Sequence, residues 1–262
     1  MVRNTNGPTT QIRVVPDLER LSREAAEQFA QLAEQQVQGS GRFSVALSGG
    51  STPQRLYELL ASEPYRSRIP WDQAHVFWAD ERCVPSDHLE SNFRMANDML
   101  LSRVPLPSVN VYRIPADQGD PVSAAASYEH TLRAFFRLQH EAWPEFDLVL
   151  LGVGKDGHTA SLFPGSPALH ETHRLVVATV GGTPNVPRIS LTVPVFNHAK
   201  HLVWLVSGVD KAAVVRAILA GPEQPDELPA EMIRPVRGSS VWLLDRAAAS
   251  LLQRSPSHDP RR

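Results

Sequence analysis

The segment best suited to catalysis is a glycine-rich stretch that ends in a histidine, Gly-Val-Gly-Lys-Asp-Gly-His (residues 152–158). An imidazole can act as a general base near neutral pH, and Asp156 is close enough in sequence to orient His158 or to stabilise its charge. A lone histidine is more often a surface residue, but closely spaced glycines at the end of a buried strand are costly unless the backbone needs them. The pattern predicts that His158 is a general base assisted by Asp156.

A second segment, Ser-Gly-Gly-Ser-Thr-Pro (residues 48–53), follows a predicted strand and has the composition of an anion-binding loop. Its glycines let backbone N–H groups approach a ligand closely, and Pro53 suits the first turn of a following helix. It has neither the Gly-Lys-Ser/Thr ending of a P-loop nor the dinucleotide fingerprint. An ordinary strand-to-helix turn is the alternative. The residues predicted to hold a phosphate are Ser48, Gly49, Gly50, Ser51 and Thr52.

The third segment is Asp-Glu-Arg-Cys (residues 80–83), also at the end of a predicted strand. Three consecutive charges at such a position usually form a solvated turn. The functional alternative is that Arg82 binds an anion while the adjacent carboxylates, including Asp80, hold it in place. Arg82 could also lower the pKa of the Cys83 thiol, but no nucleophile motif surrounds this cysteine, so we do not predict a catalytic thiol.

Two further basic residues fit an anionic ligand, although either could be ordinary surface charge. Arg188 begins Arg-Ile-Ser-Leu-Thr, and Lys211 follows Ser-Gly-Val-Asp at the predicted start of a helix. Two pairs of histidines at a spacing of three residues have no set of carboxylate or cysteine partners, so we predict no metal site and no cofactor. These pairs are His170 with His173 and His198 with His201.

Composition excludes several broad classes of function. The chain has 262 residues, of which 42% are hydrophobic and 21% charged, enough for a substantial core. Its net charge of −2 gives no global attraction to nucleic acid or to an anionic membrane. The single cysteine excludes an intrachain disulfide framework, and no apolar run reaches the roughly 18 residues of a membrane helix. With no signal peptide visible, we expect a soluble, cytoplasmic protein.

Short apolar runs alternate with longer helical patterns, and this alternation predicts the elements that position the three segments. Strands are predicted over residues 43–48, 75–79, 109–114, 146–152, 174–180, 201–207 and 240–244, and helices over 18–38, 53–61, 91–102, 121–140 and 211–220. The order favours a single open, mostly parallel, doubly wound α/β sheet with helices on both faces. In such sheets, ligands bind at the carboxyl ends of the strands, where all three segments fall. We expect this domain to span residues 11–253, between a flexible N-terminus (1–10) and a disordered tail (254–262).

Six segments, taken in order along the chain, form a family signature. They are Ser-Gly-Gly-Ser-Thr-Pro, Trp-Ala-Asp-Glu-Arg, Leu-Gly-Val-Gly-Lys-Asp-Gly-His-Thr-Ala-Ser-Leu-Phe-Pro-Gly, Arg-Ile-Ser-Leu-Thr, Ser-Gly-Val-Asp-Lys and Val-Trp-Leu-Leu-Asp. Together they resemble the signatures of the 6-phosphogluconolactonase family, and the likeness extends over residues 12–252. The resemblance implies the open α/β fold shared with ribose-5-phosphate isomerase and glucosamine-6-phosphate deaminase.

The deaminase is the nearest alternative, since it carries a similar glycine loop and a similar Asp-Gly-His turn. After the histidine it typically continues Ala-Phe-Asn-Glu-Pro-Gly, with a glutamate that assists ring opening, where this chain has Ala-Ser-Leu-Phe-Pro-Gly (residues 160–165). Phe163 cannot transfer a proton, and Arg82 stands where the deaminase has a tyrosine; both differences favour the lactonase. An isomerase of the same superfamily is a second alternative. A non-catalytic sugar-phosphate sensor is a third, but no DNA-binding element is evident.

The resemblance implies hydrolysis of 6-phospho-D-glucono-1,5-lactone to 6-phosphogluconate in the pentose phosphate pathway, without a metal or cofactor. His158 would activate water for attack on the C1 carbonyl, and Asp156 would orient His158. Asp80 would share that role or bind a sugar hydroxyl. Arg82 would stabilise developing negative charge or bind the substrate.

The substrate phosphate would rest on residues 48–52, with Arg188 and Lys211 supplying positive charge. We expect a small-molecule partner, the lactone, and a monomer or weak dimer, with no nucleic acid or membrane partner. Coupling to glucose-6-phosphate dehydrogenase, which makes the lactone, follows from metabolism rather than from any residue of this chain.

Overall fold

A six-stranded parallel sheet frames the molecule in the computed structural model, which describes residues 9–182 and 185–252. The strands are β1 (Thr10–Val15), β2 (Phe43–Leu47), β3 (Ala74–Trp78), β4 (Asp80–Arg82), β5 (Leu148–Leu151), β6 (Val176–Gly181), β7 (Val186–Leu191), β8 (His201–Val206) and β9 (Ser239–Asp245). The helices are α1 (Leu18–Ser40), α2 (Ser51–Leu60), α3 (Tyr65–Arg68), α4 (Asn92–Met99), α5 (Pro121–Phe136), α6 (Val193–Asn197) and α7 (Ala212–Ala220). The main sheet has the order β1-β9-β8-β5-β2-β3, which confirms the predicted α/β fold.

The central strands of this sheet are the apolar runs seen in the sequence. Every residue of β2 and β5 is buried, as expected for parallel strands covered on both faces. The edge strand β1 begins at Thr10, inside the stretch predicted to be flexible. Residues 1–8 of that stretch, and the tail predicted over 254–262, lie outside the described residues.

Helix α1 shows how local sequence sets an element that covers the sheet. Its N-cap is Asp17, whose carboxylate accepts the backbone N–H of Arg20, and its C-cap is Gly41 in the left-handed conformation at φ 75°. One face of the helix carries an apolar stripe that packs in the core. Its buried members include Leu21, Ala25, Phe29 and Ala33.

A small antiparallel sheet of β4, β7 and β6 corrects part of the prediction. The strand predicted over residues 174–180 is β6, but it pairs antiparallel with β7 in this second sheet rather than joining the parallel one. The charged segment at Asp80–Arg82 is itself a strand, β4, which pairs with β7 in a register that places Asp80 opposite Ser190 and Arg82 opposite Arg188. The charged turn is therefore a short strand, because β7 supplies its backbone partners.

Two other predicted elements differ from the structure. The strand predicted over residues 109–114 is a 3₁₀ turn (Ser108–Asn110) followed by a single bridge between Val111 and Val76. Val109, the first apolar residue of this stretch, is 78% exposed, so its side chain does not pack in the core as that of a central strand would. The helix predicted over 121–140 ends at Phe136, because Arg137 adopts the left-handed conformation at φ 52°.

Candidate active site

A cleft of about 240 Å³ lies at the carboxyl ends of β2, β5 and β8. Loops that are far apart in sequence meet here, as the parallel topology predicts. The predicted site residues that line it are Ser48, Gly49, Gly50, Ser51, Thr52, Asp80, Arg82, His158, Arg188 and Lys211. Asp156 does not line the cleft but contacts His158, and its side chain is 52% exposed.

His158 and Asp156 form a hydrogen-bonded pair at the rim of the cleft. Nδ1 of His158 lies 2.5 Å from Oδ1 of Asp156, and the His158 side chain is 29% exposed. Burial acts to raise the pKa of Asp156, but attraction to His158 and the hydrogen bonds that the carboxylate accepts outweigh it and lower this pKa. An ionised carboxylate can only accept, so Nδ1 carries a proton, and in the neutral imidazole the lone pair is on Nε2.

The backbone between β5 and His158 makes room for this pair through its glycines. Gly157 has φ 84°, a conformation that favours glycine, and the N–H of Gly154 donates to the carbonyl of His158 at 2.8 Å. A Cβ atom at Gly154 would overlap the His158 imidazole and the Asp156 carboxylate. The predicted catalytic turn therefore depends on glycine for packing as well as for backbone freedom.

The predicted phosphate loop turns out of β2 into the N-terminus of α2. Gly50 has φ 97° and is the N-cap of this helix, which makes no side-chain capping bond there. Buried Tyr57 fixes the start of the loop, because its hydroxyl donates to the carbonyl of Ser48 at 2.7 Å and accepts the N–H of Ser48 at 3.2 Å. Backbone N–H groups at the first turn of a helix favour an anion.

The two carboxylates of β4 are both buried, with Asp80 5% and Glu81 4% exposed. Asp80 lines the cleft and accepts a hydrogen bond from the hydroxyl of Ser161 at 2.6 Å. Glu81 points away from the cleft and accepts backbone N–H groups at the start of α4. Burial raises the pKa of Glu81, although the hydrogen bonds it accepts oppose this shift.

Arg82 and Arg188 come together on one side of the cleft through the pairing of β4 with β7. Nη1 of Arg82 donates to the carbonyl of Glu90 at 2.6 Å. Arg188 is only 8% exposed, and its Nε donates to the carbonyl of Gly181 at 3.0 Å. Burial lowers the pKa of Arg188, with Asp80 acting in the opposite direction. Two guanidinium groups beside a cleft favour an anionic ligand.

Lys211 reaches the cleft from the loop after β8. Asp245, the last residue of the Val-Trp-Leu-Leu-Asp segment, was given no role from the sequence. It anchors this loop by accepting the Ser207 hydroxyl at 2.5 Å and the Gly208 N–H at 3.1 Å. Lys155, the lysine of the histidine motif, instead pairs with Asp210 at 3.3 Å and does not line the cleft. Of these two lysines, Lys211 is therefore the one that adds charge to the cleft.

Another residue missed by the sequence prediction is Asn92, at the first position of α4, which lines the cleft and is 4% exposed. An Asn one residue after a predicted helix start carries no distinctive signal, since its importance depends on contacts with distant segments. The local sign of its position is the preceding residue, Ser91, which caps the helix by accepting the N–H of Arg94 and so marks Asn92 as the first helical residue.

Cys83 lies next to the cleft residues but has an unreactive environment. Burial and then the charge of Glu81 raise the pKa of the thiol, and Arg188 lowers it only in part. The pKa of Cys83 is therefore raised rather than lowered, contrary to the effect considered for the neighbouring Arg82. Within residues 9–182 and 185–252, no group of three or more His, Cys, Asp or Glu side chains converges as a metal site requires.

Comparisons with known proteins agree with this geometry. Residues 16–242 match a family model described as glucosamine-6-phosphate isomerases/6-phosphogluconolactonase. A Synechocystis protein named 6-phosphogluconolactonase is 44% identical over 213 residues, which cover 81% of this chain and 86% of that protein. A Nostoc protein of the same name is 39% identical over 241 residues, covering 92% of this chain and 98% of the relative.

Comparison with solved structures also finds proteins named 6-phosphogluconolactonase. The structure titled 6-phosphogluconolactonase from Trypanosoma cruzi superposes with a TM-score of 0.83 at 30% identity, covering 95% of this chain and 98% of that one. A structure titled monomeric glucosamine-6-phosphate deaminase superposes with a TM-score of 0.78 at 22% identity. The match covers 92% of this chain and 99% of that one, and it shows that the two proteins share a fold. Fold and cleft define an α/β protein with a histidine-bearing, cationic site at its strand ends. The chain belongs to the glucosamine-6-phosphate isomerase/6-phosphogluconolactonase family.

Proposed function

We propose that the protein hydrolyses 6-phospho-D-glucono-1,5-lactone to 6-phosphogluconate, the lactone-opening step of the pentose phosphate pathway. One observation carries the proposal: the imidazole of His158, hydrogen-bonded to Asp156, opens into the same cleft as the glycine loop and three basic side chains. Such a base would accelerate hydrolysis of a phosphorylated lactone, and such charges would bind its phosphate. The names of the relatives support the same substrate.

His158 acts as the general base in this proposal. A water molecule attacks the C1 carbonyl while Nε2 of His158 accepts one of its protons, which gives a tetrahedral oxyanion and an imidazolium beside Asp156. The oxyanion then collapses, the bond from C1 to the ring oxygen breaks, and the imidazolium returns its proton to that oxygen. The product is an open-chain carboxylic acid, which ionises, and no covalent enzyme intermediate forms.

The remaining site residues bind and stabilise the substrate. The phosphate rests on the loop at residues 48–52, where the N-terminus of α2 and two cations, Arg188 and Lys211, favour negative charge. Arg82 stabilises the oxyanion or grips the sugar, and Asp80, buried at the cleft wall, accepts a sugar hydroxyl. We infer these roles from position in the cleft and from residue chemistry.

The setting of the reaction belongs to the same proposal. Among the described residues, no helix is long and apolar enough to cross a bilayer. We propose that the protein acts in the cytoplasm as a monomer or weak dimer and receives its lactone from glucose-6-phosphate dehydrogenase. Sedimentation of the purified protein at two concentrations would test the oligomeric state.

The decisive experiment measures lactone opening directly. Glucose 6-phosphate is oxidised enzymatically to generate the lactone, whose disappearance is followed by NMR with and without the purified protein. Glucosamine 6-phosphate is offered in parallel with detection of ammonia, because a solved structure titled glucosamine-6-phosphate deaminase shares this fold. We expect faster loss of the lactone and no ammonia.

Other outcomes would redirect the assignment. Release of ammonia would make the protein a deaminase despite Phe163. Saturable binding of 6-phosphogluconate with no acceleration of lactone loss would indicate a sensor and would remove the catalytic role of His158.

A further inference from the structure

The side-chain amide of Asn92 joins the two functional residues of strand β4. Its Nδ2 donates to the backbone carbonyl of Asp80 at 2.9 Å and lies 3.4 Å from the Asp80 carboxylate. Its Oδ1 accepts from Nη1 of Arg82 at 3.4 Å. An amide can donate to an acidic residue and accept from a basic one at the same time, without adding charge of its own. Asn92 therefore contacts both residues in a single orientation.

The same amide lies against the predicted phosphate loop. A Cβ atom at Gly49 would overlap the Asn92 side chain, and its three nearest atoms would all belong to Asn92. The φ angle of Gly49 is not in the left-handed region, so the backbone alone would accept alanine there. Glycine is needed at this position because the Asn92 amide occupies the space of a side chain.

The carboxylate of buried Glu81 holds the backbone of Asn92 in place. Its carboxylate accepts the backbone N–H groups of Arg82, Asn92 and Phe93, each at 2.8 Å. It also accepts the hydroxyl of Ser91 at 3.1 Å. A buried carboxylate with four donors at the N-terminus of α4 holds the first turn of that helix against β4. The position of Asn92 is thus set by the backbone of both elements.

We propose that Asn92 is a positioning residue for lactone hydrolysis, which sets the spacing between Asp80, Arg82 and the phosphate loop. The inference rests on the proposed function of the cleft. Substrate spans the distance between the phosphate loop and the base, so a shift of β4 relative to that loop misplaces the reacting carbon. Displacements of about 1 Å can reduce rates roughly 100-fold.

Kinetics of Asn92→Ala test this role. We expect kcat/KM to fall roughly 10- to 100-fold, with a rise in KM, because both the loop and Arg82 lose their support. The matched control is Asn110→Ala, which removes another buried asparagine whose Nδ2 donates to the carbonyl of Asp72 at 3.1 Å, outside the cleft. This control should keep the wild-type kcat/KM. In an Arg82→Ala background, the effect of Asn92→Ala should shrink, since the two residues act together.

The isosteric variant Asn92→Asp separates positioning from packing. It keeps the shape but replaces the donor to Asp80 with a carboxylate, so we expect a loss of kcat/KM at pH 8 that diminishes as the pH falls and the new carboxyl regains a proton. The ratio of variant to wild-type kcat/KM should therefore rise on acidification. A ratio that stays constant with pH, or a variant equal to the wild type, would overturn the inference.

A compensation experiment tests the contact independently of turnover. Gly49→Ala should lower the melting temperature by roughly 3–8 °C, because the new Cβ displaces the Asn92 amide. Because Asn92→Ala also costs stability by itself, the comparison is made in that background, where adding Gly49→Ala should lower the melting temperature much less than it does in the wild type. If the two substitutions changed the melting temperature additively, the side chains at positions 49 and 92 would not compete for the same space. If the wild-type protein fails to open the lactone, the proposed function fails; if it succeeds while Asn92→Ala matches it, only this inference fails.

Discussion

The ring of Phe163 packs against the imidazole of His158, with ring centroids 4.6 Å apart and planes tilted by 43°. The guanidinium carbon of Arg188 lies 5.4 Å from the centroid of the same ring. One apolar side chain, 7% exposed, thus supports both the proposed base and a proposed phosphate ligand. A Cβ at Gly181 would overlap this ring, which explains the glycine at the end of β6. With Nδ1 engaged by Asp156, Nε2 is the nitrogen of His158 left for substrate.

The first prediction concerns His158 itself. His158→Ala should reduce kcat roughly 100- to 10,000-fold, the usual range for loss of a general base, while the melting temperature changes little because the side chain lies at the rim. His170→Ala is the control, since His170 is an exposed residue whose Nε2 lies 3.4 Å from Asp226. Turnover by His158→Ala at the wild-type rate would rule out the mechanism.

The second prediction tests the packing of the catalytic turn. Gly154→Ala should reduce kcat about 10- to 100-fold, because the new Cβ would push apart His158 and Asp156. Gly152→Ala, in the same motif, should have a much smaller effect, since its Cβ would make only an ordinary contact, 3.9 Å from the carbonyl of Leu205. Steady-state kinetics of both variants give the comparison. Equal losses would show that the overlap at Gly154 is not the reason for glycine there.

Much of the site could be predicted from sequence because its segments are local. The glycine loop and the Gly-His turn each carry their own backbone requirement, seen here as φ 97° at Gly50 and φ 84° at Gly157. Strand ends then bring such segments together, and the parallel order follows from the alternation of elements. The roles of these residues in catalysis and binding stay predictions until they are measured.

Other features depend on pairing between distant parts of the chain, which a single sequence does not reveal. Strand β4 is highly charged and has weak intrinsic strand propensity, yet it forms because β7 offers its backbone partners. Asn92 bonds to Asp80 and packs against Gly49, and Asp245 anchors the loop that carries Lys211. Asp245 belongs to the signature segment Val-Trp-Leu-Leu-Asp, but neither its contact nor those of Asn92 have a fixed spacing in sequence, so the sequence does not indicate what these residues touch.

The third prediction distinguishes the two lysines near the cleft. Lys211→Ala should raise KM about 10-fold or more with little change in kcat, because a phosphate contact made equally in the ground and transition states affects binding alone. Lys155→Ala should leave both constants near wild type, since Lys155 pairs with Asp210 and does not line the cleft. The KM values for the lactone, measured at one ionic strength, provide the test. An unchanged KM in Lys211→Ala would place the phosphate elsewhere.

The fourth prediction uses two buried tyrosines that make the same kind of contact at different strand ends. Tyr57 bonds both backbone groups of Ser48, and Tyr128 bonds both backbone groups of Trp78 at 2.9 and 3.1 Å. Each Tyr→Phe change leaves buried backbone groups unpaired and should lower the free energy of unfolding by roughly 1–3 kcal/mol. Only Tyr57→Phe disturbs the phosphate loop, so only it should weaken inhibition by inorganic phosphate.

Urea unfolding and phosphate inhibition of both tyrosine variants would be compared. If Tyr128→Phe weakened inhibition by phosphate to the same degree, the effect would come from a general loosening of the sheet rather than from the phosphate loop. Burial raises the pKa of both hydroxyls, so neither tyrosine ionises in the pH range of the assay.

The fifth prediction concerns the thiol of Cys83. Because its pKa is raised by burial and by Glu81, the thiolate fraction at pH 8 is smaller than for an ordinary cysteine. A thiol-reactive disulfide dye should therefore react with the native protein at least about tenfold more slowly than with the same protein unfolded in guanidinium chloride. Cys83→Ala should keep full lactone hydrolysis, since no step of the mechanism uses sulfur. Fast labelling of native protein together with loss of turnover would instead make this half-buried thiol part of the site, and the water-based mechanism would then give way to a covalent one.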